Sequence, residues 1–364
     1  MRIGPLAVPS QVFPIEDRQS WRYKASIQYL LWDFGRREGA MSASRAREEA
    51  VAHAGQADLQ KTQGEVAARY FSLLNLKAQK RVLAQRGKAL ESHLGQARAL
   101  FEQGVVARND LLRTEVALRA VGDADHALDQ AYASALEALN VAMGLPAETP
   151  QELPETLEGP PALPWDEPAC RTLATSRNET VRSARAKIQA LSDQAGYRRK
   201  DRLPTVAAEA SHTYAQNPYM VHDHDTSLFV GLSWKVFDGG IRTARIRQAE
   251  AETTRARRDL QEAERQAGHT AAAALRAFRQ SLREMETAGM NMASAEENLR
   301  IVGDQYREGL VRNTDVLDAE SVLAESRSAL ADRRYRAYAQ QAALLVALGE
   351  DLPAFFETRS PREK

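Results

Sequence analysis

The chain of 364 residues is long enough for two ordinary domains, but it has only 6% aromatics and is rich in Ala, Glu, Arg, Gln and Leu, the profile of long helices rather than of a globular enzyme. Lys plus Arg equals Asp plus Glu at 49 each, which excludes the one-sided charge of a nucleic-acid binder, and the single cysteine, Cys170, excludes an intramolecular disulfide and a cysteine zinc cluster. No apolar run approaches the ~18 residues of a membrane-spanning helix.

The first residues, MRIGPLAVPSQVF, lack the basic head, apolar core and cleavage site of a signal peptide. A strand somewhere in 3–13 is expected, interrupted by Pro5 and Pro9. Then Ala25, Ile27, Tyr29 and Leu31 alternate with Ser26 and Gln28, the period of a strand. Asp33 and Gly35 follow at a strand-to-helix switch. There the acid suits the positive end of a helix and the glycine lets the chain turn. No proline occurs between Pro14 and Pro146, so 36–103 reads as one rod of about 100 Å. A break at Gly104 and a return helix over 109–143 complete a hairpin. Pro146, Pro150, Pro154, Pro160, Pro161 and Pro164 then forbid regular structure across 146–166.

A helix is expected over 167–200. After Pro204, Val206, Ala208, Ala210, His212 and Tyr214 alternate with Thr205, Glu209, Ser211 and Thr213, and a loop over 217–226 leads to a second strand over 228–237. In that strand Leu228, Val230, Leu232, Trp234 and Val236 point one way and Gly231, Ser233 and Lys235 the other. Asp238, Gly239 and Gly240 form the second switch. A second proline-free rod runs over 241–308, breaks at Gly309, and returns over 314–348, leaving 351–364 as a tail.

These elements form a duplication. Ala138-Leu-Asn-Val-Ala-Met-Gly144 matches Ala343-Leu-Leu-Val-Ala-Leu-Gly349, Phe101-Glu-Gln-Gly-Val-Val matches Tyr306-Arg-Glu-Gly-Leu-Val, and Leu31-Trp-Asp-Phe-Gly35 matches Val236-Phe-Asp-Gly-Gly240. The offset is 205 residues in all three. An unbroken offset suits rods held in lateral register. The expected division is a first repeat over 1–145, a linker over 146–166, a second repeat over 167–350 and the tail. The helix over 167–200 has its counterpart before residue 1, so the sequence reads as beginning inside its first repeat.

An apolar face, a polar face and an aromatic near one end form the pattern of a transmembrane β-strand. A half-buried strand in a soluble sheet gives the same pattern. If the strands span a membrane, four are too few to close a barrel, and several chains must share one.

The stretch Leu232-Ser-Trp-Lys-Val-Phe-Asp-Gly-Gly-Ile-Arg, an Ala/Glu/Gln-rich rod, Tyr306-Arg-Glu-Gly-Leu-Val-Arg-Asn-Thr-Asp and a closing Ala-Leu-Gly resemble the second half of a TolC-family outer membrane efflux protein. The first half, with Leu31-Trp-Asp-Phe-Gly and Gly104-Val-Val-Ala-Arg-Asn-Asp, is similar more loosely, and the likeness covers about 20–350. The resemblance implies a mainly α fold with a small β part. Long antiparallel coiled-coil hairpins form an α-barrel protomer, and four strands per chain contribute to a trimeric twelve-stranded transmembrane β-barrel. It further implies a homotrimer in the cell outer membrane with a periplasmic extension. This would be the passive duct of a tripartite efflux or type I secretion system, in contact with outer membrane lipid.

In that scheme a periplasmic adaptor (membrane fusion) protein, linked to an inner-membrane pump, docks at the hairpin tips. The tips here are Gly104, Val105, Val106 and Asp110, and Gly309, Leu310, Val311, Thr314 and Asp315. The same residues also read as helix ends, with Asn109, Asp110, Asn313, Thr314 or Asp315 as caps. Ile27, Tyr29, Leu31, Leu228, Val230, Leu232, Trp234 and Val236 are expected to face lipid. Arg36, Arg37, Arg242, Arg245 and Arg247 begin the rods where the helix dipole disfavours cations, and some are expected to meet lipid headgroups. His222-Asp223-His224-Asp225 reads as a solvated loop rather than a metal site. No enzyme motif, cofactor, metal or nucleic-acid partner is expected. The competing readings are a soluble coiled-coil scaffold and an incomplete, non-functional paralogue.

Overall fold

The computed structural model describes residues 21–104, 106–155, 157–216 and 221–357. The strand expected in 3–13, the tip residue Val105 and residues 217–220 of the hairpin loop lie outside them. The chain forms two compact units, and each draws on both sequence copies. One comprises the described residues up to Glu48 together with Ala186–Arg257; the other comprises Glu49–Arg185 and the residues from Arg258.

The first unit is organised by an antiparallel sheet of β1 (Arg22–Trp32), β2 (Thr205–Ala215) and β3 (His224–Ser233) in that order. A bulge between Leu30 and Trp32 shifts the pairing of β1. Trp32 and Leu232 both lie opposite Val206, an offset of 200 where the sequence repeat has 205. The two copies are therefore staggered by five residues across β2, as tilted strands require.

The stagger corrects one expectation. β3 ends at Ser233, so Trp234 and Val236 lie beyond the ladder rather than within the strand. Ser233 pairs with Thr205, the first residue of β2, and the preceding Pro204 has no N–H to extend the ladder. The Trp234 indole instead donates Nε1–H to the Arg202 carbonyl at 3.1 Å.

The long helices are α1 (Arg36–Glu102), α2 (Arg108–Ala142), α5 (Ile241–Arg307) and α6 (Asn313–Leu348). Their bounds differ from the expected ones by a residue or so. The single helix expected over 167–200 is instead two, α3 (Glu167–Arg177) and α4 (Glu179–Lys200). Asn178 is extended (φ −63°, ψ 124°), and its Oδ1 accepts from the amides of Thr180 at 3.0 Å and Val181 at 3.4 Å. An asparagine that offers its side chain to the amides two and three residues on ends one helix and starts another.

In the second unit the core gathers around α6. Leu344, Ala347 and Leu348 pack with Cys170, Ala174, Ala271, Leu275 and Phe278. On another face, Tyr335, Ala342 and Leu345 pack with Phe71, Leu74 and Leu352. Many of the buried positions are alanine, Ala97, Ala271, Ala272 and Ala337 among them, which lets helix axes approach closely. Leu352 belongs to a short helix, α7 (Leu352–Glu357), so the described start of the expected tail is ordered and contributes to the core.

Candidate functional site

The sheet carries two unlike faces. One presents Tyr23, Ile27 and Tyr29 from β1, Ala208, Ala210 and His212 from β2, and Leu228, Val230 and Leu232 from β3. These apolar side chains are on the surface: Ile27 is 76% exposed, Leu228 79% and Leu232 65%. The described residues of this chain leave these three side chains largely uncovered.

Aromatic and imidazole rings border this face. At one end Tyr23 stacks on Tyr214 at 5.1 Å between ring centroids, and His212 on His224 at 5.5 Å. At the other lie Trp32 and, past the strand end, Trp234. Eight residues separate Tyr214 from Val206, or about 26 Å of strand, close to the ~25 Å apolar band of an outer-membrane barrel.

The opposite face is polar. Lys24 pairs with Glu209 at 3.4 Å, and the Ser211 and Ser227 hydroxyls bond at 2.9 Å. Phe229 is an apolar side chain on this face that the sequence reading passed over. Its ring covers Gly231, where a Cβ would come within 2.3 Å of it. The alternation also splits the His222–Asp225 run: His224 turns to the apolar face and Asp225 to the polar one. Among the described residues no group of three or more His, Cys, Asp or Glu side chains could hold a metal ion.

Both strand-to-helix switches use the same device. Asp33 accepts from the amides of Gly35 at 3.1 Å and Arg37 at 2.9 Å. Asp238 accepts from the amides of Gly240 at 3.2 Å and Arg242 at 3.1 Å, and from Arg242 Nε at 2.7 Å. Each carboxylate thereby satisfies helix-terminal N–H groups. The chain between α4 and β2 ties the two switches together. Lys200 Nζ donates to the Gly35 carbonyl at 2.9 Å, Arg36 reaches the Asp201 carboxylate at 3.5 Å, and Arg242 reaches the Asp201 carbonyl at 3.2 Å.

At the far ends of the hairpins, Gly104 and Gly309 have φ near +72° and +73°. Leu310 is 70% exposed, while Val106 and Val311 are half-buried. The return helices begin differently from expectation. Ala107 and Arg312 are the N-cap residues, and Asp315 reaches back to accept the Arg312 amide at 2.9 Å.

Asn313, read as one of the possible caps, turns inward and is 2% exposed. Its Nδ2 donates to the Asp110 carbonyl at 3.0 Å and to Thr114 Oγ1 at 3.3 Å, while Oδ1 lies 2.5 Å from His93 Nε2. With Nδ2 so committed, Oδ1 is the acceptor and His93 carries its proton on Nε2. The His93 ring lies 5.1 Å from that of Tyr306, whose buried hydroxyl has no hydrogen-bond partner among the described residues and whose phenol is pushed above its ordinary pKa by burial. His93, Thr114 and Tyr306 are residues that sequence reasoning missed, and it read Asn313 only as a cap. One available signal was that Asn313 replaces the exposed Arg108 of the first copy.

Residues 15–145 and 171–350 match the family described as outer membrane efflux protein. The chain is 28% identical over 352 residues to protein CyaE of Bordetella pertussis, covering 89% of this chain and 70% of that one. It is 24% identical over 241 residues to the alkaline protease secretion protein AprF of Pseudomonas aeruginosa, covering 65% of this chain and half of that one. Among solved structures, the outer membrane protein VceC of Vibrio cholerae superposes with a TM-score of 0.74 at 18% identity, over 91% of this chain and 87% of that one.

Proposed function

The chain belongs to the outer membrane efflux protein family, and on that premise we propose that it is one protomer of a trimeric export duct of an efflux or type I secretion system. The observation that carries the reading is the sheet. Its apolar face is exposed, its polar face holds an ion pair and hydroxyl contacts, and its three described strands leave open edges. In hydrocarbon an open edge strands backbone N–H and C=O groups at several kcal/mol each, so such a sheet is stable in lipid only when closed with others.

The polar face then lines a water-filled lumen, and the apolar face meets the outer membrane. The two repeats, 1–145 and 167–350, are two halves of one protomer wall, and 146–166 crosses between them. The tips at Gly104–Asp110 and Gly309–Asp315 are the docking points for a periplasmic adaptor coupled to an inner-membrane pump. The likeness to a protein named for protease secretion supports a secretion role among those the family serves. The duct is passive, and the energy for export comes from the pump.

The test is fractionation of the expressed chain followed by mass measurement in detergent. The expected result is recovery in the outer membrane fraction and a protein mass of three 40.3 kDa chains. A chain that stays in solution without detergent as a monomer would overturn the reading and favour the coiled-coil scaffold.

A further inference from the structure

A chain with no net charge concentrates positive charge at one end of its sheet. Residues 32–37, 198–202 and 234–247 hold ten basic and three acidic side chains. They converge through the bonds that link Lys200 to Gly35, Arg242 to Asp201 and Trp234 to Arg202. Two of the three acids, Asp33 and Asp238, are engaged at helix N-termini. The third, Asp201, lies 3.5 Å from both Arg36 and Arg198. Arg199 pairs with Glu250 and Arg242 with Asp238.

What remains is Arg37, Arg202, Lys235, Arg245 and Arg247, all exposed. Among the described residues none of the five has a carboxylate within ion-pair distance, and Arg202 reaches only the Thr243 hydroxyl at 3.5 Å. Arg37 lies in the first turn of α1, where the helix dipole disfavours a cation, and Arg245 and Arg247 lie in the second turn of α5. Local stability does not explain their placement.

The surface beside this collar is apolar. Trp32 is 60% exposed, Trp234 57% and Phe237 85%. Indole and phenyl rings beside unpaired guanidinium groups match the boundary between acyl chains and headgroups. We propose that this collar binds the phosphate groups of anionic phospholipid in the leaflet at the helix-bearing end of the sheet. The proposal rests on the membrane reading given above. Each arginine presents a fork of donors that suits a phosphodiester, and the indoles set the depth of the bilayer.

The test uses the full chain, purified in a neutral detergent and reconstituted into vesicles of phosphatidylcholine alone or mixed with phosphatidylglycerol. Flotation after an alkaline wash reads insertion. In a background with Trp21 and Trp165 replaced by Phe, quenching of tryptophan fluorescence by brominated lipid of either headgroup reads which lipid sits beside Trp32 and Trp234. The expected result is insertion into both vesicle types, with brominated phosphatidylglycerol favoured about fivefold over brominated phosphatidylcholine at low salt. The triple variant Arg37→Gln, Arg245→Gln, Arg247→Gln should insert as a trimer and lose that preference, while the corresponding Arg→Lys variant retains it. Equal quenching by the two lipids in the wild type, or a preference that survives the glutamine variant, would overturn the proposal. Failure to float with either vesicle would instead sink the membrane reading itself.

Discussion

Asn313 bridges three helices with one side chain, touching Asp110 and Thr114 of α2 and His93 of α1 from its own place at the start of α6. Asn313→Ala leaves the His93 N–H and the Asp110 carbonyl without this partner in a buried site, at a cost of about 2 kcal/mol. The expected readout is faster amide hydrogen exchange in the first two turns of α2, with a lower melting temperature. Protection there that is unchanged from wild type would remove Asn313 from its bridging role. The sequence shows three adjacent polar residues, Asn313, Thr314 and Asp315, each of which can cap a helix. Only the true boundary tells them apart. The helix starts one residue earlier than the pattern suggests, and one residue rotates a side chain by about 100° around the axis. That rotation turns a surface cap into a core strap, beyond the resolution of any pattern argument. Asp33 and Asp238 were legible for the opposite reason: each is the acid immediately before a glycine-bearing turn into a helix, and its hydrogen bonds are local.

At the scale of the element, the sheet was readable because period-two alternation marks the strands over most of their length. Prolines and glycines likewise delimited the four long helices. Two features were not readable. The break at Asn178 depends on one side chain outcompeting the helix it sits in. The early end of β3 depends on where its partner strand begins, which is tertiary information. The alternation that was readable sets a sharp contrast between faces. Val230 is on the apolar face and Ser227 on the polar one, three residues apart in the same strand. Val230→Arg places a charge against lipid and should cost about 2–4 kcal/mol near the bilayer midplane. Ser227→Arg points into water and should cost less than about 1 kcal/mol. The measurement is the fraction of each variant recovered as detergent-resistant trimer from the outer membrane. Equal recovery of the two variants would mean that the face assignment, and with it the lipid contact, is wrong.

For the molecule as a whole, the duplication supplies an internal control, because matched positions share a sequence but not always an environment. Gly144 and Gly349 end the two return helices at the same place in the repeat, with φ of 74° and 75°. An alanine at either position bears the strain of a left-handed backbone, about 1 kcal/mol. Their surroundings differ. A Cβ at Gly144 would meet nothing within 4 Å, whereas one at Gly349 would lie 2.7 Å from the Arg177 carbonyl oxygen and 2.9 Å from its carbon. That oxygen is where it is because Asn178 breaks the chain between α3 and α4, and backbone at a helix end cannot swing aside as a flexible side chain does. Overpacking of this kind adds about 1–3 kcal/mol. Asn140 and Leu345 repeat the lesson. Both are fully buried, but Asn140 donates to the carbonyls of Ala147 and Thr149 at the start of the proline-rich segment, whereas Leu345 packs against Phe71, Leu74 and Leu352. The second copy's helix end has thus become a packing centre, and the first copy's has become an anchor for irregular chain. Gly349→Ala should therefore destabilise the protein by about 2–4 kcal/mol and Gly144→Ala by about 1 kcal/mol, read as the shift of the chemical-denaturation midpoint of the detergent-solubilised protein. Equal shifts would mean that the α6 end does not sit against the Arg177 carbonyl, and the packing built around Leu344, Leu345 and Leu348 would have to be redrawn.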